Sequence, residues 1–322
     1  LGWRRAGAWA GTRAYAELPR RRDPPAGWLA NANNAPTAAA AREIPGRWDD
    51  PFRVERIRER LAGARHDVAS FRAMQRDQRS GLADALLPAM LAARPEDARA
   101  ERWLARLAAW DRHADPERPE PLVFTAWYDA LAEHLYADEL GDRFALYRGQ
   151  NAGFVRTALT ARTRWCDDVT TAARERCPEV LGAALGTALD RLTSRLGREG
   201  PRWAWGAQHP ARFRHAFFAD LGPLGRWTSA RLPRGGDDTT IDAASPSPAT
   251  APPLFPSDHG VSYRQIVDLA APERSRFVAA GGQVGHPLSA HYRDLLTLWH
   301  KGGDIAMTVP ETARHIERLR PR

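Results

Sequence analysis

Apolar side chains recur at helical spacing through the middle of this 322-residue chain. Pro51 suits a first helical turn, and Val54, Ile57 and Leu61 follow it at intervals of three and four residues. Similar spacing predicts further helices over 67–90, 96–110, 122–137, 151–163 and 179–196. The segment 49–198 is therefore expected to be largely helical.

The two flanking segments have shorter patterns. Residues 1–48 alternate brief apolar pieces with glycines and prolines, which predicts short strands, turns and a loop. In residues 199–322, two stretches at 261–269 and 275–279 have strand composition, and a hairpin-length turn separates them. Trp203 and Trp205 alternate like one face of a strand, and we expect both in the core; short helices are predicted over 289–300 and 310–320.

This order of strands, helices and strands predicts an α+β protein. The economical arrangement joins both strand groups in one sheet system that the helices cover. A hydrophobic content of 43% is sufficient for a substantial core. No apolar run reaches the length of about 18 residues that a membrane-spanning helix needs, so no membrane span is expected.

The charge is strongly positive, +8 with a pI of about 10.2. Lys301 is the only lysine among 47 basic residues, and the arginines alternate with acids, as in Arg53-Val54-Glu55-Arg56-Ile57-Arg58-Glu59-Arg60. Such spacing is typical of solvated helix faces with ion pairs between neighbouring turns. We therefore expect no nucleic-acid partner.

Cys166 and Cys177 are the only cysteines, and their spacing does not match a metal site. On one continuous helix they would lie roughly 16 Å apart, too far for a disulfide. Cys166 precedes two aspartates, however, and Pro178 suits a helix start. A short loop closed by a disulfide is the other interpretation, and it would indicate an oxidising compartment.

No self-contained catalytic set is evident. The chain has neither a Gly-x-Ser-x-Gly nor a Ser-x-x-Lys motif. The histidine pairs 209 and 215, and 286 and 291, lack a convincing carboxylate partner, and packing or capping roles are favoured for all four.

The most distinctive stretch is Gly27-Trp28-Leu29-Ala30-Asn31-Ala32-Asn33-Asn34-Ala35-Pro36, with three side-chain amides within four positions. Asparagine favours turns, because its side chain competes for backbone hydrogen bonds. An asparagine N–H is also a suitable donor to an oxyanion, since it supplies a fixed dipole without a titratable charge. A turn and an oxyanion site are both compatible with this pattern.

This stretch, with Trp48 and the arginine-rich segment from Arg53 to Leu61, resembles the part of the penicillin acylase family that carries its oxyanion asparagine and a nearby arginine. Further motifs of the family follow in the same order: Met74-Gln75-Arg76-Asp77, Trp110-Asp111, Trp205-Gly206-x-x-His209, Gly235-Gly236-Asp237-Asp238-Thr239-Thr240, His259-Gly260-Val261-Ser262-Tyr263-Arg264 and Gly282-Gln283-Val284-Gly285-His286-Pro287-x-Ser289-x-His291-Tyr292-x-Asp294. The resemblance covers nearly the whole chain.

The resemblance implies an N-terminal-nucleophile amidohydrolase, made as a precursor and cut into an α and a β chain. It implies a partial αββα sandwich with a large helical insertion at 49–198, between strands and the oxyanion loop at 1–48 and returning strands and C-terminal helices at 199–322. The nucleophile of the family is the serine that begins the β chain. Since this chain begins at Leu1, we expect a C-terminal piece of a β chain, inactive alone, whose partners are the α chain and the rest of the β chain.

Carried over residue by residue, the resemblance makes Asn33 the oxyanion donor and Arg53 the active-site arginine. Arg56 is the substitute if the register is shifted, and Asn34 and Trp28 are scaffold for the loop. A surface ion pair is the alternative role for Arg53.

The expected substrate is a small linear amide, such as a β-lactam side-chain amide or an acyl-homoserine lactone, in the periplasm or outside the cell. The chemistry requires no cofactor; the family allows a structural calcium in the full-length protein, but no metal ligand is assigned here. The alternative function is a non-catalytic protein on the same core that binds anionic partners through surface arginines.

Overall fold

The computed structural model describes residues 11–44, 48–63, 65–146 and 151–308. The chain divides into two compact units, Leu1–Ala64 and Arg65–Arg322. Among the helices in the described ranges, none is long and apolar enough to cross a membrane. The strand predicted near residues 7–10 and the helix predicted over 310–320 lie outside the described residues.

The first unit contains a 3-10 turn at Tyr15–Glu17 and two helices, α1 at Ala38–Glu43 and α2 at Phe52–Leu61. Thr37 caps α1, because its hydroxyl accepts a hydrogen bond from the backbone N–H of Ala40 at 2.9 Å. Across residues 11–44 the structure has turns and helix where short strands were predicted, so that prediction is wrong for these residues. The frequent prolines explain the difference, since each removes a backbone donor that a strand ladder needs.

The second unit begins with six helices where the apolar spacing predicts five: α3 at Val68–Met74, α4 at Gly81–Met90, α5 at Ala98–Ala108, α6 at Glu120–Leu140, α7 at Ala152–Thr160 and α8 at Cys177–Leu196. The single helix predicted over 67–90 is in fact two. Asp67 caps the first and Ser80 caps the second, accepting from the N–H groups of Ser70 at 2.7 Å and Ala83 at 3.1 Å. A second cap residue inside an apolar periodic segment starts a new helix.

Helices α6 and α8 form the centre of the helical core. Buried side chains occur all round α6, as expected for a helix enclosed by others. The Trp127 indole on α6 donates a hydrogen bond to the Leu181 carbonyl on α8 at 3.0 Å. Gly182 of α8 lies against the backbone of residues 94–95, where a side chain would collide.

The strands are short and lie in residues 210–306 of the described chain. They are β1 at Pro210–Phe213, β2 at Ala230–Pro233, β3 at Ala244–Ser245, β4 at His259–Gly260, β5 at Tyr263–Ile266, β6 at Arg276–Ala279 and β7 at Ile305–Ala306. They form the antiparallel sheets β1-β2, β3-β4 and β5-β6-β7. The predicted pairing of the 261–269 and 275–279 stretches is confirmed, with Tyr263 opposite Ala279 and Ile266 opposite Arg276.

Three short helices accompany these strands: α9 at Trp205–Gln208, α10 at Gly222–Thr228 and α11 at Asp294–His300. Trp299 of α11 packs with Val278 of β6 and Ala211 of β1 in a shared apolar cluster. Trp203 and Trp205 are buried as predicted, but they lie in a 3-10 turn and in α9, so the strand interpretation is wrong there.

Cys166 and Cys177 form a disulfide. Cys166 ends a 3-10 helix at Thr163–Cys166, and Cys177 is the first residue of α8. The loop interpretation is therefore confirmed and the continuous helix is wrong. The mixture of helices and sheets also confirms the α+β class. The expectation of one sheet system that joins both strand groups is wrong for the described residues, whose strands all lie in 210–306 and form three separate sheets.

Candidate functional site

The asparagine-rich stretch is a loop held together by its own amides. The Asn34 side chain is buried; its carbonyl accepts from the Ala32 N–H at 3.1 Å and its amide donates to the Ala35 carbonyl at 2.9 Å. The Asn31 side chain accepts from the Asn33 N–H at 3.1 Å. Asn33 itself has φ of 62°, a left-handed conformation that asparagine tolerates better than most residues. The turn prediction is therefore confirmed.

Arg53 lies in the first turn of α2 and reaches back to this loop. Its Nη2 donates to the Asn33 side-chain oxygen at 2.8 Å and to the Ala32 carbonyl at 2.9 Å. The same nitrogen forms an ion pair with Asp49 at 2.6 Å. Arg53 is thus mostly covered, with 19% of its side chain exposed, and it connects the loop to the start of the helix.

The contact with Arg53 fixes the orientation of the Asn33 amide. A guanidinium has only donors, so the amide atom that faces it is the oxygen. The Asn33 Nδ2, with its two N–H donors, is consequently directed away from Arg53. Asn33 is exposed. The arrangement can therefore present a preorganised amide dipole to an atom that develops negative charge.

Asp49 completes the group, although it is not among the site residues predicted from the sequence. Its backbone N–H donates to the Asn33 carbonyl at 3.1 Å, while its carboxylate pairs with Arg53. A recognisable signal was present, because Asp49 precedes Arg53 by four residues at the start of a helix. Asp49 thus connects the backbone of Asn33 to the side chain of Arg53.

The other residues considered for this region have local contacts. Arg56 forms an ion pair with Glu59 at 2.8 Å, one turn further along α2. Trp28 is half-buried in the first unit. Residues 1–64 contain no serine and no cysteine, so this unit offers neither of the two commonest side-chain nucleophiles.

Three of the four histidines, His209, His215 and His286, have the expected packing or capping contacts, but the expectation that none has a carboxylate partner is wrong for His291. His209 is buried, stacked on Trp205 with ring centroids 4.2 Å apart, and hydrogen-bonded to the Phe255 carbonyl at 2.6 Å. His215 and His286 accept hydrogen bonds from nearby backbone N–H groups, and His291 lies 2.8 Å from Asp294. Within the described ranges, no group of three or more His, Cys, Asp or Glu side chains is placed to hold a metal ion.

The fold is shared with a protein of solved structure. Thermostable penicillin G acylase from Alcaligenes faecalis superposes with a TM-score of 0.57 at 17% identity, over 98% of this chain and 61% of that chain. The family model described as penicillin amidase matches residues 1–315. The chain belongs to this family of amidohydrolases.

Curated relatives agree with this membership. The chain is 29% identical over 338 residues to the acyl-homoserine lactone acylase QuiP of Pseudomonas putida, covering 96% of this chain and 40% of that protein. It is 30% identical over 329 residues to the penicillin acylase 2 proenzyme of Pseudomonas sp. strain SE83, covering 95% and 39%. The chain thus spans about 40% of the length of these relatives.

Proposed function

We propose that this chain supplies the oxyanion-stabilising part of a serine amidohydrolase, with Asn33 as the donor and Arg53 as the residue that positions it. The observation that carries the proposal is the 2.8 Å hydrogen bond from Arg53 to the Asn33 oxygen, which directs the Asn33 N–H groups outward. The family match over residues 1–315 supports placing this geometry in an amide hydrolase.

In this proposal the nucleophile is an N-terminal serine on polypeptide outside these 322 residues. Its own α-amino group, with an ordinary pKa near 8, accepts the hydroxyl proton as Oγ bonds to the amide carbon. The carbonyl oxygen then carries the negative charge, and Asn33 donates to it. Collapse of this intermediate breaks the C–N bond, and the leaving amine takes the proton; water then hydrolyses the acyl ester.

The proposed substrate is a small linear amide whose acyl group is transferred to the serine. The names of the relatives support two versions, the amide of an acyl-homoserine lactone and the side-chain amide of a penicillin. We further propose that the short sheets belong to a four-layer αββα core that the remaining polypeptide completes. The disulfide between Cys166 and Cys177 supports a periplasmic or secreted location, because such bonds persist in oxidising compartments.

The first test is an assay of the purified 322-residue chain with a chromogenic acyl-amide. We expect no hydrolysis above background, and activity once the polypeptide that carries the serine is supplied. Hydrolysis by the 322-residue chain alone would show that the nucleophile lies within it. A completed protein without amidase activity, retained on a polyanion in a salt-dependent manner, would instead favour the binding-protein alternative.

The second test substitutes Asn33→Asp in the completed enzyme. Aspartate tolerates the left-handed conformation and still accepts from Arg53, but it has no N–H to donate. We expect turnover to fall about 100- to 1,000-fold with little loss of stability. Arg58→Gln, an exposed position on the same helix, is the matched control and should leave turnover unchanged. Equal activity of N33D and the parent enzyme would remove Asn33 from the mechanism.

A further inference from the structure

Four arginines line one small cavity in the second unit. Arg72 belongs to α3, Arg76 follows that helix, and Arg264 and Arg276 lie on the paired strands β5 and β6. The cavity has a volume of about 10 Å³, close to the space that one water molecule requires. Asp304 is its only acidic lining residue.

The charge beneath this cavity is not balanced. Arg264 and Arg234 are both buried, with 7% and 5% of their surface exposed, and both donate to the same oxygen of Asp242, at 2.7 and 2.6 Å. The second Asp242 oxygen accepts from the neutral amide of Gln78 at 3.2 Å. Two buried guanidinium groups therefore share one carboxylate. The face of Trp299 lies 4.7 Å from Arg234 and 5.5 Å from Arg264, which eases this excess but carries no negative charge.

The rim of the cavity adds to the excess. Arg72 donates two hydrogen bonds to the Asp304 carboxylate, at 2.5 and 3.0 Å, and so neutralises it. Within the part of the chain that the structure describes, Arg76 and Arg276 contact no carboxylate. Arg76 is held against Gly302, where any side chain would collide with its guanidinium. The four arginines of the cavity and Arg234 beneath it thus carry five positive charges, whereas Asp242 and Asp304 supply two negative charges.

Two donors at the cavity also lack acceptors. The Nε–H groups of Arg264 and Arg276 are buried and have no hydrogen-bond partner. A buried donor on a charged group that remains unsatisfied is costly, and native structures contain few of them. A neutral water molecule in the cavity would leave the positive charge uncompensated.

Besides burial, the excess positive charge also lowers the pKa values of two neighbouring groups, His300 and Arg234. Burial lowers the pKa of His300, and the positive charges of Arg234 and Lys301 lower it further. Burial lowers the pKa of Arg234, with Arg264 acting in the same direction against the attraction of Asp242. Neutral His300 therefore adds no positive charge to a region that already has too much.

We propose that this cavity binds a small monovalent anion of the size of chloride. The anion accepts from the Nε–H groups of Arg264 and Arg276 and lies within the field of Arg76. The small volume favours a monatomic anion over phosphate, sulfate or a carboxylate. Its binding compensates one unit of charge and connects α3 to the sheet β5-β6-β7.

The test compares thermal unfolding of the 322-residue chain in sodium chloride and in sodium gluconate at equal ionic strength. Gluconate is too large for the cavity. Since a ligand stabilises the state that binds it, the melting temperature should rise by about 2–5 °C as chloride replaces gluconate. Arg276→Gln should abolish this rise.

Arg274→Gln is the matched control, because Arg274 is an exposed arginine two residues away that pairs with Asp268. It should keep the full chloride response, which separates specific binding from the general effects of salt. Equal melting temperatures of the unmodified chain in both salts would overturn the proposal, as would an unchanged response in R276Q.

A second measurement does not depend on the variants. Crystals of the chain soaked in sodium bromide should show an anomalous scattering peak within hydrogen-bond distance of the Arg264 and Arg276 Nε atoms. An empty cavity in such crystals, with bromide bound elsewhere, would contradict the inference even if R276Q did not fold.

Discussion

Acidification should destabilise the folded chain through His209. This side chain is fully buried, and its Nδ1–H donates to the Phe255 carbonyl. Burial lowers the pKa of His209 to about 4, and the charge of Arg234 acts in the same direction, while backbone hydrogen bonds of Phe255 and Ala244 oppose the change. An unfolded chain has the ordinary value near 6.5.

The sign of the effect follows from where protons bind. Between pH 6.5 and pH 4 the unfolded chain binds a proton at His209 and the folded chain does not, so the free energy of unfolding falls as the pH falls. With folded and unfolded pKa values of about 4 and 6.5, the loss relative to pH 7 is about 2 kcal/mol at pH 5 and about 3 kcal/mol at pH 4. This stability is fully present above pH 6.5.

The measurement is urea unfolding of the parent chain and of His209→Asn at several pH values from 7 to 4. Asparagine can still donate to the Phe255 carbonyl but does not titrate in this range. The variant should be less stable at pH 7, because stacking on Trp205 is lost, and the difference should shrink by about 2 kcal/mol at pH 5. Other titrating groups, including His134, His300 and Glu139, cancel in this difference. A gap that stays constant between pH 7 and pH 4 would refute the argument.

Two further predictions concern stability and use matched positions. Gly182→Ala should destabilise the chain because the new methyl group meets the Arg94 carbonyl, whereas Gly186→Ala on the same helix meets open space and should stabilise it by about 0.5–1 kcal/mol. Chemical denaturation of both variants tests this, and a stabilising G182A would contradict the close packing. Asp242→Asn should cost about 3–5 kcal/mol, since it leaves two buried guanidinium groups without a carboxylate. Asp258→Asn breaks a more exposed pair with an arginine, should cost less than about 1 kcal/mol, and serves as the control in the same melting experiment.

The helical core was largely predictable from the sequence, because periodicity reports directly which side a helix buries. The extra break within 67–90 was missed since Met74 and Leu82 continue the apolar spacing across the polar run 75–80. The strand prediction near the N-terminus was wrong because local composition indicates extended backbone, whereas a strand also needs a pairing partner and the backbone donors that the prolines remove.

The arginines show more clearly that sequence pattern alone does not predict which charged residues are buried. Their spacing in the sequence indicated solvated helix faces, and Arg53 and Arg56 do form ion pairs along or next to α2. Arg264 follows a different rule, since alternation along β5 buries it while its neighbour Tyr263 is exposed. No local pattern distinguishes such a buried arginine from an exposed one, because the carboxylate that stabilises it, Asp242, lies 22 residues away.

For the candidate site, the family resemblance selected Asn33 and Arg53, and the roles of both residues remain predictions. Their contact across 20 residues could not be derived from spacing alone. Asp49 was missed because its contribution is partly a backbone hydrogen bond, which leaves no trace in residue type.

The side chain at position 53 determines which end of the Asn33 amide dipole faces outward. An acceptor side chain there, as in Arg53→Glu, would favour the opposite amide rotamer and turn the oxygen outward, so that an anion would be repelled rather than bound. One residue of α2 thus determines the sign of the electrostatic potential at a loop 20 residues earlier in the chain. Positions 33 and 53 are consequently expected to covary among homologous sequences.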